Sequence, residues 1–279
     1  MNGISNMTNS KKSAKSNGVV LFAFNTKNVD YVKLADRSSQ LIKKYLNLPI
    51  TLVTDEDSNP KFNYDKIIRY NAQTGNVRYD LNFQLQEWKN FDRYSVYQLS
   101  PYDTTLLIDV DYFIFDQNLL KLFNQDFDFR LMYQMQTPDR IDSGDMGPTS
   151  LPMVWATVVL FKKSNRSEMF FNLISRIQRN YNYYRLLFGI RDTNFRNDFA
   201  FSMANIIING YSLVPETSIP WKLMTIEHRL KEIYKKDNFF VVRTENRCDV
   251  VSRQSLHIMD KNYILSDEFG QLVDKVCHE

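Results

Sequence analysis

Residues 19–24, 104–115 and 154–161 are strand-length runs of mainly apolar side chains without the in–out alternation of a half-exposed strand. Such runs fit strands covered on both faces, and a sheet covered on both faces needs helices above and below it. The rest of the chain supplies them. After the polar turn 25–28, Val32, Ala35, Ile42 and Leu46 fall at helical spacing, Pro49 closes that helix, and residues 50–54 read as a second strand. This is a strand–helix–strand unit of the length that a right-handed parallel crossover requires. Ile67 and Ile68 begin a third strand. Residues 71–103 carry Trp88, Phe91, Tyr94 and Tyr97, which predict a helix packed on the sheet. Phe170, Leu173, Ile174, Ile177, Tyr181 and Tyr184 mark one face of a long helix. Phe199, Met203, Ile206 and Ile207 mark another, with Gly210 at its stop. Residues 239–243 and 255–259 predict short late strands. The expected fold class is α/β: a single domain over residues 18–279 with a central mixed, mostly parallel sheet flanked by helices. Residues 1–17, basic through Lys11, Lys12 and Lys15 with little to bury, predict a disordered tail.

Composition removes several function classes. With 43% hydrophobic and 24% charged side chains over 279 residues, the chain can bury a substantial core. No apolar stretch approaches the length of a bilayer crossing, so no membrane partner is expected. No apolar segment follows the N-terminal lysines before Val19, so no secretory signal is expected. Two cysteines, Cys248 and Cys277, make no disulfide framework and predict a reducing, cytoplasmic location. The net charge is +3, from 35 basic and 32 acidic residues, so affinity for nucleic acid would need a local patch.

The chemistry is concentrated in acidic pairs. The 23 aspartates of the chain would give roughly two Asp-x-Asp pairs by chance, and there are three: Asp55/Asp57, Asp109/Asp111 and Asp126/Asp128. The first and third sit in polar surroundings that suit solvated turns. The middle pair follows Leu106-Leu107-Ile108 and precedes Tyr112-Phe113-Ile114-Phe115, so two charges interrupt a segment that otherwise reads as core. Buried charges are costly unless paired or bound to a metal. The carboxyl end of a strand in an open α/β sheet is also where ligands bind. Two carboxylates there suit a hard divalent ion that shares its remaining positions with phosphate oxygens. The plainer alternative is satisfaction by local backbone N–H groups or an arginine.

The segment Leu107-Ile108-Asp109-Val110-Asp111 resembles the metal-binding Asp-x-Asp element of the GT-A nucleotide-sugar glycosyltransferases. The resemblance extends along residues 19–261 in the family's order. The strand–helix–strand unit 19–54 resembles the family's nucleotide-binding half, and Trp155-Ala156-Thr157-Val158-Val159-Leu160-Phe161-Lys162 its sugar-binding strand. Arg196-Asn197-Asp198-Phe199-Ala200 resembles its acidic helix start. Ser255-Leu256-His257-Ile258-Met259-Asp260-Lys261 is similar to a late strand carrying a metal-binding histidine and a diphosphate-binding lysine. The chain also resembles tailed-phage proteins of this type.

The resemblance implies a metal-dependent glycosyltransferase using Mn²⁺ or Mg²⁺ and a nucleotide-sugar donor, most simply a UDP-sugar. It implies Asp109, Asp111 and His257 as metal ligands, with Asp109 also at the ribose and Lys261 at the diphosphate. Tyr31 and Asp30 would meet base and ribose, and Trp155 the sugar. Asp198 would act as the catalytic base, or orient the sugar if configuration is retained. The loop carrying Asp139, Asp142 and Asp145 would face the donor or form a lid, or be a solvated turn. For His257, Tyr31 and Asp198 the bland readings are a core histidine, a packing tyrosine and a helix-start carboxylate. Arg176, Arg179, Arg185, Arg191 and Arg196 lie within 21 residues, interleaved with Tyr181, Tyr183 and Tyr184. They suit either a phosphate backbone with accessible bases or the solvated face of a helix. A hydroxymethylated base in phage DNA is therefore the sharpest acceptor expectation. A metal-dependent phosphodiesterase or nuclease, and a catalytically inactive nucleic-acid or protein binding module, are the competing classes.

Overall fold

The computed structural model describes residues 16–73, 76–79, 85–142, 145–146, 151–212 and 217–279. The expected tail lies outside them as far as Lys15, and the first strand already includes Asn17. The apolar runs become the middle of a six-stranded sheet. Its spatial order is Lys66–Arg69, Ile50–Thr54, Asn17–Phe22, Thr104–Ile108, Trp155–Lys162 and Phe129–Met132. The first four are mutually parallel, and Trp155–Lys162 runs antiparallel to both its neighbours. The sheet is mixed and mostly parallel.

Side-chain alternation along the central strands feeds two cores. Val19, Leu21, Leu106, Ile108, Val158 and Leu160 enter one core. Val20, Phe22, Leu107, Val159 and Phe161 enter the other. The first core is covered by the helices Tyr31–Tyr45 and Asp267–His278 through Val32, Leu34, Ile42, Phe269 and Val273. The second is covered by Asn165–Arg179 and Asn197–Ile208 through Phe170, Ile174, Phe201 and Met203. Both faces are dry, as the unbroken hydrophobicity required. No helix among the described residues is long and apolar enough to cross a membrane.

The expected elements differ from the structure in three places. The run 104–115 is not one strand. Thr104–Ile108 ends in a turn closed by the Tyr112 N–H donating to the Asp109 carbonyl at 3.1 Å, and Tyr112–Phe113 then joins a second sheet. That sheet has the order Ile141–Asp142, Met135–Gln136, Leu223–Ile226, Leu256–Ile258 and Tyr112–Phe113. Residues 71–103 hold, where described, the strand pair Val77–Tyr79 and Leu85–Glu87, a 3₁₀ turn Asn90–Ser95 and one helical turn Val96–Leu99. The long helix breaks at Asn180, whose side-chain amide and backbone N–H both donate to the Arg176 carbonyl. That local capture ends the helix at Arg179, and Tyr181–Leu187 is a separate short one. The late strands Phe239–Thr244 and Leu256–Ile258 form as expected, the former between Leu230–Lys236 and Cys248–Ser252. Gly210 has φ +62°, the left-handed conformation that terminates the helix before it.

Gly18 sits where the sheet leaves no room for a side chain. A Cβ there would fall 2.4 Å from the ring of Tyr102, which is buried and hydrogen-bonded to Thr51 at 2.8 Å. Gly18→Ala should therefore destabilise the fold by about 1–3 kcal/mol through overpacking. The midpoint of urea unfolding measures this, and an unchanged midpoint would mean that the Tyr102 ring yields freely.

Candidate active site

The turn after Thr104–Ile108 positions both acidic side chains. The Asp109 N–H donates to the Thr157 carbonyl at 2.9 Å, tying the turn to the antiparallel neighbour. The Asp111 carbonyl accepts from the Ile258 N–H at 2.9 Å, tying it to the second sheet. The carboxylates thus stand where the two sheets meet. The strand Leu256–Ile258 pairs His257 with Tyr112 on one side and with Thr225 on the other. His257 is buried. Its Nδ1 lies 3.3 Å from the Thr225 hydroxyl, and its Nε2 lies 3.7 Å from Asp111 Oδ2. The ligand atoms of Asp109, Asp111 and His257 lie within 4.8 Å of one another. Two hard oxygens and one imidazole nitrogen whose other nitrogen is held by a hydroxyl fit a divalent ion of the manganese or magnesium kind.

Each carboxylate also has its own cation. Arg93, only 1% exposed, places Nη1 2.8 Å from Asp109 Oδ1 and donates through Nη2 to the Ala156 carbonyl at 2.8 Å. Lys261 donates to Asp111 Oδ2 in a short contact and to the Met259 carbonyl at 3.3 Å. The consequences for the two acids are opposite. Burial pushes the Asp109 carboxyl above the usual carboxylate range, and the Asp111 charge adds to this, more than Arg93 offsets. Burial acts on Asp111 in the same direction, but Lys261 and His257 outweigh it and hold that carboxyl well below the usual range.

A cleft of about 1040 Å³ opens over these groups. It gathers most of the sequence-derived candidates: Tyr31, Asp109, Asp111, Trp155, Asp198, His257 and Lys261 all line it. Asp198 lies in the first turn of Asn197–Ile208. Its Oδ1 accepts from the Ala156 N–H at 3.0 Å, and its Oδ2 pairs with Arg196 at 3.0 Å. Asp30 is not among the lining residues; it caps the helix Tyr31–Tyr45 by accepting from the Lys33 N–H at 2.9 Å. Asp139 is absent from the lining too. Hydrogen bonds from Thr137 and Arg247 hold it down to about 2, the signature of a tied surface turn. The side chains of Asp142 and Asp145 lie outside the described residues. Of the other acidic pairs, Asp55 accepts from Ser58 and Asp128 from Ser164, while Asp57 and Asp126 are exposed. Of the five clustered arginines, Arg196 lines the cleft and the other four do not.

Three residues of the cleft were not singled out from the sequence: Asn90, Arg93 and Asn197. Asn197 donates to the Asn90 carbonyl at 2.8 Å, which brings the helix start against the 3₁₀ turn. Among the described residues, Asn90 Oδ1, Arg93 Nε, Trp155 Nε1 and Asn197 Oδ1 are buried without a hydrogen-bond partner. All four residues line the cleft. Buried polar atoms are nearly always paired in native proteins, so four unpaired ones on residues that line one cleft single it out as a candidate for a polar ligand. The only trace of this in the sequence is an arginine set among aromatic residues in Phe91-Asp92-Arg93-Tyr94.

No protein-family model and no curated protein sequence matches the chain. Among solved structures, similarity is found to the glycosyltransferase GlyE of Streptococcus pneumoniae TIGR4. The identity is 15% and the TM-score 0.40, covering 74% of this chain and 45% of that one. The apo form of GlyE gives 14% and 0.41, with 73% and 45% covered. Apo mouse xyloside xylosyltransferase 1 gives 12% and 0.42, with 70% and 83% covered. The chain thus spans less than half the length of GlyE.

Breaking the Arg93–Asp109 pair should be costly, because one charge is left without its partner. Arg93→Ala strands a partly buried carboxylate and should cost about 3 kcal/mol, the lower end for a broken buried pair, because Asp109 keeps a solvent-facing side. Adding Asp109→Asn should recover part of that loss in urea denaturation. A double variant no more stable than Arg93→Ala would show that the pair is not coupled.

Proposed function

We propose that this protein is a divalent-metal-dependent glycosyltransferase of GT-A type. It would move a sugar from a nucleoside diphosphate donor, most simply a UDP-sugar, to an acceptor hydroxyl. The observation that carries this reading is the pairing of two different surfaces in one cleft. The cation-binding set Asp109, Asp111 and His257 adjoins the unpaired buried donors and acceptors of Asn90, Arg93, Trp155 and Asn197. A phosphate-bound metal explains the first, and a polyhydroxylated ring explains the second. A nuclease would use the metal set but leaves the mixed donor and acceptor surface unexplained.

In this reading Asp109, Asp111 and His257 hold the ion, which when bound supplies charge neutralisation for the departing diphosphate. Arg93 anchors Asp109 and the Ala156 carbonyl, so it fixes the floor on which the sugar rests. Trp155 Nε1 and the Asn90 and Asn197 amides offer hydrogen bonds to sugar hydroxyls. Tyr31, at the end of the first strand–helix connection, meets the nucleoside side. Asp198 faces the same floor with one oxygen on the Ala156 N–H and the other on the half-exposed Arg196, so release of Arg196 frees a carboxylate oxygen for the acceptor hydroxyl. Arg176, Arg179, Arg185 and Arg191, lying outside the cleft lining, give a DNA acceptor no support.

Two measurements test this. Nucleotide sugars screened by thermal shift with and without Mn²⁺ should reveal one donor that raises Tm only with the ion, since a ligand that binds the native state stabilises by mass action. Asp111→Asn should abolish that shift and Asp128→Asn should not; equal loss from both would place the metal site elsewhere. With the donor known, Asp198→Asn should lower kcat by about 100-fold or more with little change in donor Kd, because a base acts only at the transfer step. Full activity in Asp198→Asn would reduce the residue to a helix-start carboxylate.

A further inference from the structure

Lys261 is placed by unusually firm local structure. It is the first residue of the helix Lys261–Leu265, capped by Asp260, whose Oδ1 accepts from the Tyr263 N–H at 3.2 Å. The other Asp260 oxygen accepts from the Leu230 N–H at 2.8 Å. The following residues are strapped to the first helix: Lys33 donates to the Leu265 carbonyl at 3.1 Å, and buried Arg37 donates to the Ile264 carbonyl. The backbone of Lys261 therefore has little freedom, while its side chain reaches Asp111 Oδ2, the same oxygen that faces His257 Nε2.

Charge balance gives this contact a consequence. Asp109 and Asp111 carry two negative charges, and Arg93 and Lys261 return two positive ones at contact distance. Within these four groups the formal charges cancel, although the ligand atoms lie within 4.8 Å of one another. Removing the ammonium from Asp111 restores a net negative charge at the ligands and frees the lone pairs of Oδ2. An incoming diphosphate provides an alternative anion for the displaced ammonium, since Lys261 lines the same cleft.

We propose that Lys261 is an internal competitor for the divalent cation. Its ammonium occupies Asp111 until an anionic ligand draws it away, so that metal and nucleoside diphosphate bind with positive coupling. This inference rests on the metal-site part of the function proposed above. Binding couplings are reciprocal: whatever factor the nucleotide adds to metal affinity, the metal adds to nucleotide affinity. Arg93 cannot take the same part, because its guanidinium is also held by the Ala156 carbonyl and is sealed from solvent.

The test is Mn²⁺ affinity of the full chain by calorimetry, in the absence of nucleotide, for the wild type, Lys261→Met and Lys261→Arg. Lys261→Met should bind Mn²⁺ more tightly than wild type by about 5- to 150-fold, the usual span of a coupling between sites. Lys261→Arg, which keeps the cation, should bind no more tightly than wild type. Adding UDP should tighten Mn²⁺ binding in the wild type and much less in Lys261→Met. Lys261→Gln provides the same comparison if the methionine variant fails to fold, judged by its near-ultraviolet dichroism. Equal Mn²⁺ affinity in all variants, lost on Asp111→Asn, would overturn the competitor role and leave the metal site standing. No Mn²⁺ binding in any variant would overturn both.

Discussion

Two carboxylates are held at the junction of two sheets, Asp111 mostly buried and Asp109 with one solvent-facing side, and most of the surrounding architecture answers that demand. An isolated buried carboxylate loses its proton only at a large desolvation cost. Asp109 and Asp111 meet this cost with separate partners and in separate degrees. Arg93 reaches Asp109 from the 3₁₀ turn Asn90–Ser95, while Lys261 and His257 reach Asp111 from the second sheet and the helix that follows it. Burial therefore raises one carboxyl and fails to raise the other. A site with one weakened and one strengthened anion gives its two carboxylates unequal claims on an incoming cation.

The C-terminal segment is what makes the second partner dependable. Leu256–Ile258 is pinned between Tyr112–Phe113 and Leu223–Ile226, and the two helices after it lie against Tyr31–Tyr45. Three basic residues on one helix, Lys33, Arg37 and Lys44, donate to carbonyls at Leu265, Ile264 and Val276, near the ends of those helices. Unpaired carbonyls at helix ends need donors, and long basic side chains supply them while covering apolar surface with their stems. The result links the first strand–helix–strand unit to the lysine that touches Asp111 across more than two hundred positions of sequence.

Much of this was legible in the chain, and the illegible parts share a cause. The doubly buried strands, the helix ending at Gly210 and the helix carrying Phe170 and Ile174 follow from periodicity, because each is dominated by what it buries. The importance of Asp109 and Asp111 was legible because charge in an apolar run has few excuses. Arg93, Asn90 and Asn197 were not, since each owes its role to partners on other elements and none interrupts an apolar pattern. The same holds for the break at Asn180, decided by a side-chain amide taking the Arg176 carbonyl. It holds also for residues 90–99, where an aromatic-rich stretch forms a tight turn and one helical turn where a helix was expected. Asp30 and Asp139 lie outside the cleft lining, the first as a helix cap and the second in a tied turn, the plainer of its two sequence readings.

The direction of one strand accounts for the gathering of the remaining groups. In a purely parallel sheet, the residues beside the carboxyl end of Thr104–Ile108 would be the last of the neighbouring strand. Trp155–Lys162 runs the other way, so its first residues stand at that edge, with Val158 opposite Ile108 and Thr157 accepting from the Asp109 N–H. The register shift between Trp155 and Val159 loosens the pairing there to Phe129–Met132. That leaves the Ala156 N–H and carbonyl free of the ladder to engage Asp198 and Arg93. A β-bulge at a strand end re-aims side chains and releases backbone groups in this way. Ala156 thereby connects the buried arginine and the acidic helix start through its backbone alone, while the next residue, Thr157, holds the acidic turn.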